Sequence, residues 1–377
     1  MNRVAVAFAM VVVAAAAAFA LWPSSARQPI QATVAVREAL AEDRAGFARA
    51  LAPRPMSFPE DHGPHPDFRM EWWYYTGNLK TSAGRHVGFQ LTFFRVALSP
   101  TEESRASAWA TRQLYVAHFA VTDTAGGRFH AASRTSRAAL GLAGAQAVSF
   151  RVWVEGWSAE GDGKATRLRA QEGDIAVDLT VSPAKPVVLQ GDRGLSRKGP
   201  EPGNASFYYS FTRMPTHGTV GLGAETLEVS GETWMDREWS TSALGAAVEG
   251  WDWFALQLDD GRELMAYLLR RRDGTIDPFS AGTLVAADGT ARRLEAGDVR
   301  IEMLGHWTSQ RSGVRYPARW RLSVPLAELR LEIEPRLADQ ELMVGTRYWE
   351  GAVGVVGSSG GRAIGGQGYV ELVGYGE

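Results

Sequence analysis

"HPDFRMEWWYYTGNL", residues 65–79, sets two tryptophans and two tyrosines side by side behind a glutamate. A helix normally spaces such aromatic residues three or four apart, whereas a strand points alternate side chains to opposite faces. The run therefore predicts a strand that carries aromatic side chains on both faces. One face is expected to line an interior, and the other to pack against a second part of the protein.

Alternating patterns continue along most of the chain. Residues 86–96 and 113–123 both alternate in the manner of half-buried strands, and no long helix is visible after residue 60. Later apolar runs are separated or followed by Asp-Gly pairs, the strongest short hairpin signal. These pairs are Asp260-Gly261, Asp273-Gly274 and Asp288-Gly289. Turns at this spacing are typical of an up-and-down antiparallel barrel.

An internal repeat predicts two barrels. "EWWYYTGNL" followed by "GRHVGFQLTFFR" is echoed by "EGWDWFALQL" followed by "GRELMAYLLRRR". Gly84-Arg85 recurs as Gly261-Arg262 with an offset of 177, and we match Trp73 and Tyr75 to Trp251 and Trp253 with an offset of 178. The sequence thus predicts an all-β chain of two tandem barrels, each long enough to hold a small ligand. The barrels are assigned to residues 58–240 and 249–377, with the small-residue stretch 240–250 as the junction.

Composition agrees with this class of protein and narrows the chemistry. A chain of 377 residues is longer than a single hydrophobic core usually supports, which favours two domains. Its 13 Trp, 15 Phe, 10 Tyr and 41 Gly favour strands and turns over a helical bundle. A net charge of −2 without a basic aromatic stripe argues against a nucleic-acid partner. The absence of cysteine excludes a disulfide framework, a thiolate metal site and a cysteine nucleophile.

The N-terminus predicts export. Residues 1–26 combine an early arginine, an apolar run and small residues near Ala26, as in a cleaved signal peptide. The alternative is an uncleaved anchor helix in the inner membrane, since the run is just long enough to span a bilayer. Either way the expected location is the periplasm or the outer surface. Residues 27–57 are expected to form a linker with one short amphipathic helix.

The stretch "VSGETWMDREWS", residues 229–240, places charged residues within an aromatic strand and so contains candidates for chemistry. On a strand, Trp234, Asp236 and Glu238 share one face, while Arg237 and Trp239 share the other. Carboxylates two residues apart on a strand lie roughly 6.5–7 Å apart, close enough for one to raise the pKa of the other in a dry site. A carboxyl kept protonated in this way is a competent general acid. In the alternative, both carboxylates pair with arginines and close a barrel end.

Further candidates come from the aromatic strands. We expect an apolar ligand to contact Trp72, Trp73, Tyr74, Trp234, Trp239, Trp251 and Trp253, because aromatic walls bury large areas and tolerate a cationic intermediate. Glu71 either caps the barrel through an arginine pair or projects toward that ligand. The start of the stretch 198–220 is predicted to be a loop at a barrel mouth. It leads into Tyr208 and Tyr209, of which only one can face inward.

The histidines argue for packing rather than metal chemistry. His118 shares its strand face with apolar residues and is expected to be a satisfied core group. The seven histidines form no cluster at metal-ligand spacing, and no phosphate or dinucleotide motif follows a strand. No metal and no cofactor are therefore expected.

Taken together, these segments resemble the AttH family of secreted proteins, which is related to bacterial carotenoid 1,2-hydratases and built of two lipocalin-like domains. The segments that carry the resemblance span nearly the whole exported body; they are "HPDFRMEWWYYTGNL", "GFQLTFFR", "GPEPGNASFYYSFTRM", "GETWMDREWS" and "GWDWFALQLDDGRELMAYLLR". The resemblance implies a twin calycin fold with a cleft or lumen for a bulky apolar ligand, of isoprenoid or lipid type.

The hydratase residues are only partly present. Asp236 and Trp239 match the hydratase pattern, but Arg237 stands at its histidine position. A later strand retains Tyr267 and lacks the aspartate that follows it in the hydratases. The resemblance thus implies Asp236 and Tyr267, and the strand pattern adds Glu238, as candidate catalytic residues for hydratase-type acid–base chemistry. Family members without the full set are described as secreted hydrolases and resemble partners of ABC-type export permeases, so a hydrolase and a non-catalytic periplasmic partner stay open.

Overall fold

The computed structural model describes residues 45–101, 107–241, 244–245 and 247–376. The predicted signal peptide, residues 1–26, lies outside these described residues, as does the first part of the predicted linker. The described end of that linker, residues 45–57, contains no helix. In the part of the chain that the structure describes, no helix is long and apolar enough to cross a membrane.

The described chain is built almost entirely of strands, with two short 3₁₀ turns at Glu60–His62 and Pro325–Ala327. The strands of the first sheet are β1 Met70–Lys80, β2 His86–Ala97, β3 Gln113–Asp123, β4 Arg128–Arg137, β5 Ala143–Gln146, β6 Arg151–Val154, β7 Trp157–Gly161, β8 Thr166–Glu172, β9 Ile175–Val181, β10 Val188–Leu189, β11 Leu195–Arg197, β12 Ala205–Leu222 and β13 Glu225–Ser240. The strands of the second sheet are β14 Val248–Leu258, β15 Glu263–Arg271, β16 Ala281–Val285, β17 Ala291–Glu295, β18 Arg300–Thr308, β19 Arg315–Val324, β20 Leu329–Pro335, β21 Glu341–Met343, β22 Arg347–Ser359 and β23 Arg362–Val373.

Both sheets are curled antiparallel meanders in which the first strand pairs with the last. The first sheet runs β4-β3-β2-β1-β13-β12-β9-β8-β7-β6-β5, and β10 and β11 also pair with β12. The second runs β17-β16-β15-β14-β23-β22-β20-β19-β18, and β21 pairs with β22. The predicted all-β fold of two lipocalin-like barrels is confirmed.

Strand β1 carries aromatic residues on both faces, as its sequence predicts. Trp73 and Tyr75 point into the interior of the first sheet, where they pack in one core cluster with Phe89. Tyr74 points the other way and joins a second cluster that includes Trp253 of the second sheet. The outer face of β1 is therefore buried against the second barrel.

The three predicted Asp-Gly turns join β14 to β15, β15 to β16 and β16 to β17. Gly261 has a φ of 83°, and Gly84 in the matching turn of the first sheet has the same value. Both glycines thus occupy the left-handed region that other residues avoid. This equivalence supports the offset of 177 between the two hairpins.

The offset of 178 for the aromatic residues is wrong. The pairs Lys80↔His86 and Gln257↔Glu263 have the same place in their hairpins and are related by 177 throughout. Trp251 therefore corresponds to Tyr74, on the face that meets the other sheet, and not to Trp73. A shift of one residue along a strand exchanges its two faces. Aligning the two repeats by residue similarity, with an offset of 178, therefore assigned these tryptophans to the wrong face of the strand.

Polar contacts join the two sheets beside the apolar cluster. The Asn78 side-chain amide donates to the Gly368 carbonyl at 3.0 Å, and Nδ1 of His118 lies 2.8 Å from the Tyr348 hydroxyl. His118 is buried and burial lowers its pKa to about 4, which confirms the prediction of a satisfied core histidine.

Candidate active site

A cavity of about 80 Å³ lies between the two sheets, with room for several water molecules. Its wall is mostly aromatic and includes four charged side chains. The lining residues are Trp72, Tyr74, Phe94, Lys198, Tyr208, Asp236, Glu238, Leu244, Trp251, Trp253, Tyr267, Leu269 and Glu371. Both sheets contribute to this list, so the cavity depends on how the barrels pack together.

Strand β13 supplies the two acidic candidates through the alternation expected of a strand. Asp236 and Glu238 line the cavity, and Trp234 lies on the same face in the cluster between the sheets. Trp239, one residue away, points into the core of the first sheet. The predicted division of this segment into two faces is confirmed.

Asp236 is buried among neutral hydrogen-bond donors. Its carboxyl accepts from the Tyr208 hydroxyl at 2.5 Å, the Ser210 hydroxyl at 2.5 Å and the Trp234 indole at 2.7 Å. Burial raises the pKa of Asp236 to about 7, the three donors act in the opposite direction, and the charge of Glu238 adds to the rise. This carboxyl can therefore carry a proton at neutral pH and release it within the cavity.

Glu238 and Lys198 form a charged pair next to Tyr267. Lys198 Nζ lies 3.7 Å from Glu238 Oε1 and 3.8 Å from the centre of the Tyr267 ring. Burial lowers the pKa of Lys198, but Glu238 and Tyr267 outweigh it and raise the value, so the ammonium stays charged. Glu238 also accepts from the Ser206 hydroxyl, and the Tyr267 hydroxyl lies 3.2 Å from Ser196 Oγ.

Two further carboxyls come from the second sheet. The Trp251 indole donates to Glu371 Oε2 at 2.7 Å, and burial raises the pKa of Glu371 to about 7. Glu350 faces Glu371 across β22 and β23 and accepts from the Tyr74 hydroxyl at 2.6 Å. Burial, with the charge of Glu371, holds the pKa of Glu350 well above its usual range.

The model of the family described as AttH-like matches residues 49–375 of this chain. The chain belongs to the AttH-like family. An AttH-type protein of Nitrosomonas europaea has a solved structure that is 35% identical, with a TM-score of 0.77 over 87% of this chain and 100% of that chain. Kievitone hydratase from Nectria haematococca has a TM-score of 0.66 over 89% of this chain and 97% of its own, but only 16% identity, and so shares the fold.

A curated relative also carries a hydratase name. Kievitone hydratase of Fusarium solani subsp. phaseoli is 22% identical to the AttH-like protein over 214 residues, 55% of this chain. The match spans 59% of that relative's length. The AttH-like protein therefore has hydratase relatives at low identity.

Four of the eight predicted ligand contacts do not line the cavity of the AttH-like protein. Trp234 packs beside the cavity in the cluster between the sheets and reaches it only through its hydrogen bond to Asp236. Trp73, Trp239 and Glu71 are buried in the interior of the first sheet rather than at the cavity. Glu71 forms ion pairs with Arg95 and Arg237 and accepts from the backbone N–H of His65 at 3.0 Å. Pairing of a carboxylate with arginines, the alternative for Asp236 and Glu238, thus occurs at Glu71 instead.

Sequence reasoning did not single out Lys198, Phe94 or Glu371. Lys198 begins the loop that was predicted at a barrel mouth, and Tyr208, just beyond it, is the tyrosine that faces the cavity. Glu371 is a carboxyl embedded among Tyr369, Val370 and Leu372 of β23, and a charge within an apolar strand segment is the signal that could have identified it.

Proposed function

We propose that this AttH-like protein binds the reacting end of a bulky apolar molecule, of isoprenoid or lipid type, in the cavity between its sheets and adds water across a double bond. The observation that carries the proposal is the Asp236 carboxyl, buried in an aromatic wall with a pKa of about 7. A general acid is most effective when its pKa lies near the working pH. Asp236 meets that condition at neutral pH.

The reaction begins with proton transfer from Asp236 to one alkene carbon. The π electrons form the new C–H bond, and the neighbouring carbon becomes a cation. The faces of Trp72, Tyr74 and Trp253 are suited to stabilise that cation, because aromatic rings attract positive charge. The oxygen of a water molecule then bonds to the cation and loses one proton, so that the alkene gains one H and one OH.

The surroundings of Asp236 favour an enzyme over a passive carrier. Carboxylates that only hold a fold together are normally neutralised by cations, as Glu71 is. The partners of Asp236 are two hydroxyls and an indole, which leave its proton available to a ligand. The curated kievitone hydratase relative supports the same reaction class, and its substrate is a property of that relative.

Lys198 indicates what the other end of the ligand carries. Its ammonium lies at the cavity wall and carries three N–H donors. Tyr267 engages one of them and Glu238 lies 3.7 Å away, which leaves a donor for a ligand oxygen. We therefore assign an oxygen-bearing group of the ligand to Lys198 and the double bond to Asp236. Lys198→Met should weaken binding of hydroxylated or carboxylated alkenes more than binding of the matching hydrocarbons, measured by tryptophan fluorescence.

The test compares wild type with Asp236→Asn on a panel of isoprenoid and fatty-acyl alkenes. Wild type should convert one of them to a product heavier by one water, detected by mass spectrometry. Asp236→Asn should lose about 10²- to 10⁴-fold in turnover, because it lacks the acid, and still quench tryptophan fluorescence on binding. Asp252→Asn is the matched control, since Asp252 is a buried carboxyl outside the cavity, paired with Arg270. It should keep turnover.

Each other outcome has a defined meaning. Binding without conversion by wild type supports a carrier, and cleavage of an ester without water addition supports a hydrolase. A flat fluorescence response across both ligand classes rejects the apolar ligand.

A further inference from the structure

Glu371 brings a carboxyl from the second sheet into the cavity that holds Asp236 from the first. It lies on the last strand, β23, opposite Trp253 in β14 and Glu350 in β22. The Trp251 indole, itself part of the cavity wall, holds one carboxyl oxygen at 2.7 Å. The cavity is thus lined by carboxyls from both barrels, Asp236 and Glu238 from the first and Glu371 from the second.

The charges around Glu371 are mostly negative or neutral. Across the cavity, β13 presents Asp236 and Glu238, the neighbouring β22 presents Glu350, and the loop before β12 presents Lys198. The tyrosines that face the same space are Tyr74, Tyr208 and Tyr267. The ion pair of Lys198 is with Glu238, and none among the described residues joins Lys198 to Glu371.

Asp236 and Glu371 are electrostatically coupled. Burial raises the pKa of each to about 7, and the charge of Asp236 adds to the rise at Glu371. Because like charges in one cavity disfavour each other and both carboxyls titrate near neutral pH, one of them can carry a proton while the other is ionised.

We propose that Glu371 is the second proton-transfer group of the hydration reaction, which takes a proton from the attacking water while Asp236 gives its proton to the alkene. This assignment rests on the proposed function. The water oxygen bonds to the cationic carbon as its O–H proton passes to Glu371. Turnover leaves Asp236 ionised and Glu371 protonated, and the transfer of one proton from Glu371 to Asp236 restores the starting state.

Glu238 fits this second role less well, although it is closer in sequence to Asp236. It accepts from the Ser206 hydroxyl and faces the Lys198 ammonium, so its negative charge is already engaged. We assign it to holding Lys198 in place.

The kinetic test measures the pH dependence of turnover for wild type, Glu371→Gln and Glu232→Gln on the alkene that wild type hydrates. Glu371→Gln should lose at least 10²-fold, since a glutamine cannot accept the proton, and should lose one limb of a bell-shaped profile. Glu232→Gln is the matched control, because Glu232 is a half-buried glutamate on β13 outside the cavity and burial raises its pKa. It should keep both the rate and the profile.

A second measurement needs no substrate. Infrared titration of protein with isotope-labelled glutamate carboxyls should show that Asp236→Asn lowers the pKa of Glu371, because a negative neighbour has been removed. If Glu371→Gln keeps turnover within about threefold of wild type, the assignment is overturned while the proposed hydration stands. If wild type hydrates no alkene, both fall, and the infrared shift then decides only whether the coupled pair exists.

Discussion

Glu71 and Asp236 are both buried carboxyls on the paired strands β1 and β13, yet they face opposite sides of the first sheet. Glu71 points into the barrel interior between the guanidinium groups of Arg95 and Arg237. Asp236 points toward the second barrel and is held by two hydroxyls and one indole. The same strand pair therefore carries two carboxyls in opposite electrostatic surroundings.

The comparison shows that the charge of the partners decides what burial does to a carboxyl. Burial alone raises the pKa of either group, but at Glu71 the two arginines outweigh it and hold the pKa well below its usual range. At Asp236 neutral donors offset burial only in part, and the pKa rises to about 7. A cation makes a buried carboxyl a permanent structural anion, whereas hydroxyls and an indole leave it able to exchange a proton.

The largest expected effect comes from removing the charge of Glu71. Glu71→Gln leaves Arg95 and Arg237 as buried cations without their anion, and we expect a loss of about 3–5 kcal/mol in the free energy of unfolding. Urea unfolding at pH 7 measures it. Glu225→Gln removes an exposed ion pair with Arg85 as the control and should change stability by less than about 1 kcal/mol. A Glu71 variant as stable as this control contradicts the structural role.

Asp236→Asn should change the pH dependence of the free energy of unfolding, and above about pH 4 the difference from wild type should move in the variant's favour, whereas Glu71→Gln is destabilising there. The folded protein holds the Asp236 proton up to a pKa of about 7, whereas the unfolded chain loses it near pH 4. Wild type therefore loses stability from this group as pH rises between those values, by about 1.4 kcal/mol per pH unit. Asparagine does not titrate, and it can donate to the Tyr208 hydroxyl while it accepts from Ser210 and Trp234.

The difference in unfolding free energy between Asp236→Asn and wild type should consequently move in the variant's favour from pH 4 to pH 7 and level off above. Urea unfolding at several pH values measures this slope. Glu71 has the reverse linkage, since its lowered pKa contributes stability above pH 4.5 that is lost as pH falls through the folded value. A flat difference for Asp236→Asn would mean that Asp236 is ionised in the folded protein throughout this range.

Much of the fold was predictable because its signals are local. Alternation along β1 and β13 placed each side chain on a face, and Asp-Gly pairs marked the turns of the second sheet. The partner Arg95 lies directly opposite Glu71 across the β1–β2 hairpin, so this pair could have been read from the hairpin register. The predicted offset of the aromatic repeat was wrong because aromatic residues occupy both faces of the strand, so an alignment shifted by one residue looks equally similar.

The site was harder to predict because its parts meet only through distant pairings. Glu71 and Asp236 give the same sequence signal, a carboxyl within an aromatic strand. What separates them is Arg237 reaching Glu71 across the β1–β13 pair, and Tyr208 reaching Asp236 from β12. Local residue periodicity predicts neither the pairing of the first strand with the last nor the packing of the second barrel against the first.

The smallest predicted effect tests the hydrogen bonds of Asp236. The Trp234 indole donates to Asp236 Oδ1 at 2.7 Å and lowers the pKa of Asp236, against the effect of burial. Trp234→Phe keeps an aromatic ring in the cluster but removes this donor, which stabilises the ionised form more than the acid. The pKa of Asp236 should then rise by about one unit, equivalent to about 1.4 kcal/mol, measured by infrared titration of isotope-labelled aspartate carboxyls.

The control is Trp153→Phe, since Trp153 also donates its indole N–H, to Gly141, but lies outside the cavity. If the pKa of Asp236 does not move, the Trp234 hydrogen bond does not help to set it, and the contrast with Glu71 must rest on burial, the two hydroxyl donors and the absence of arginine.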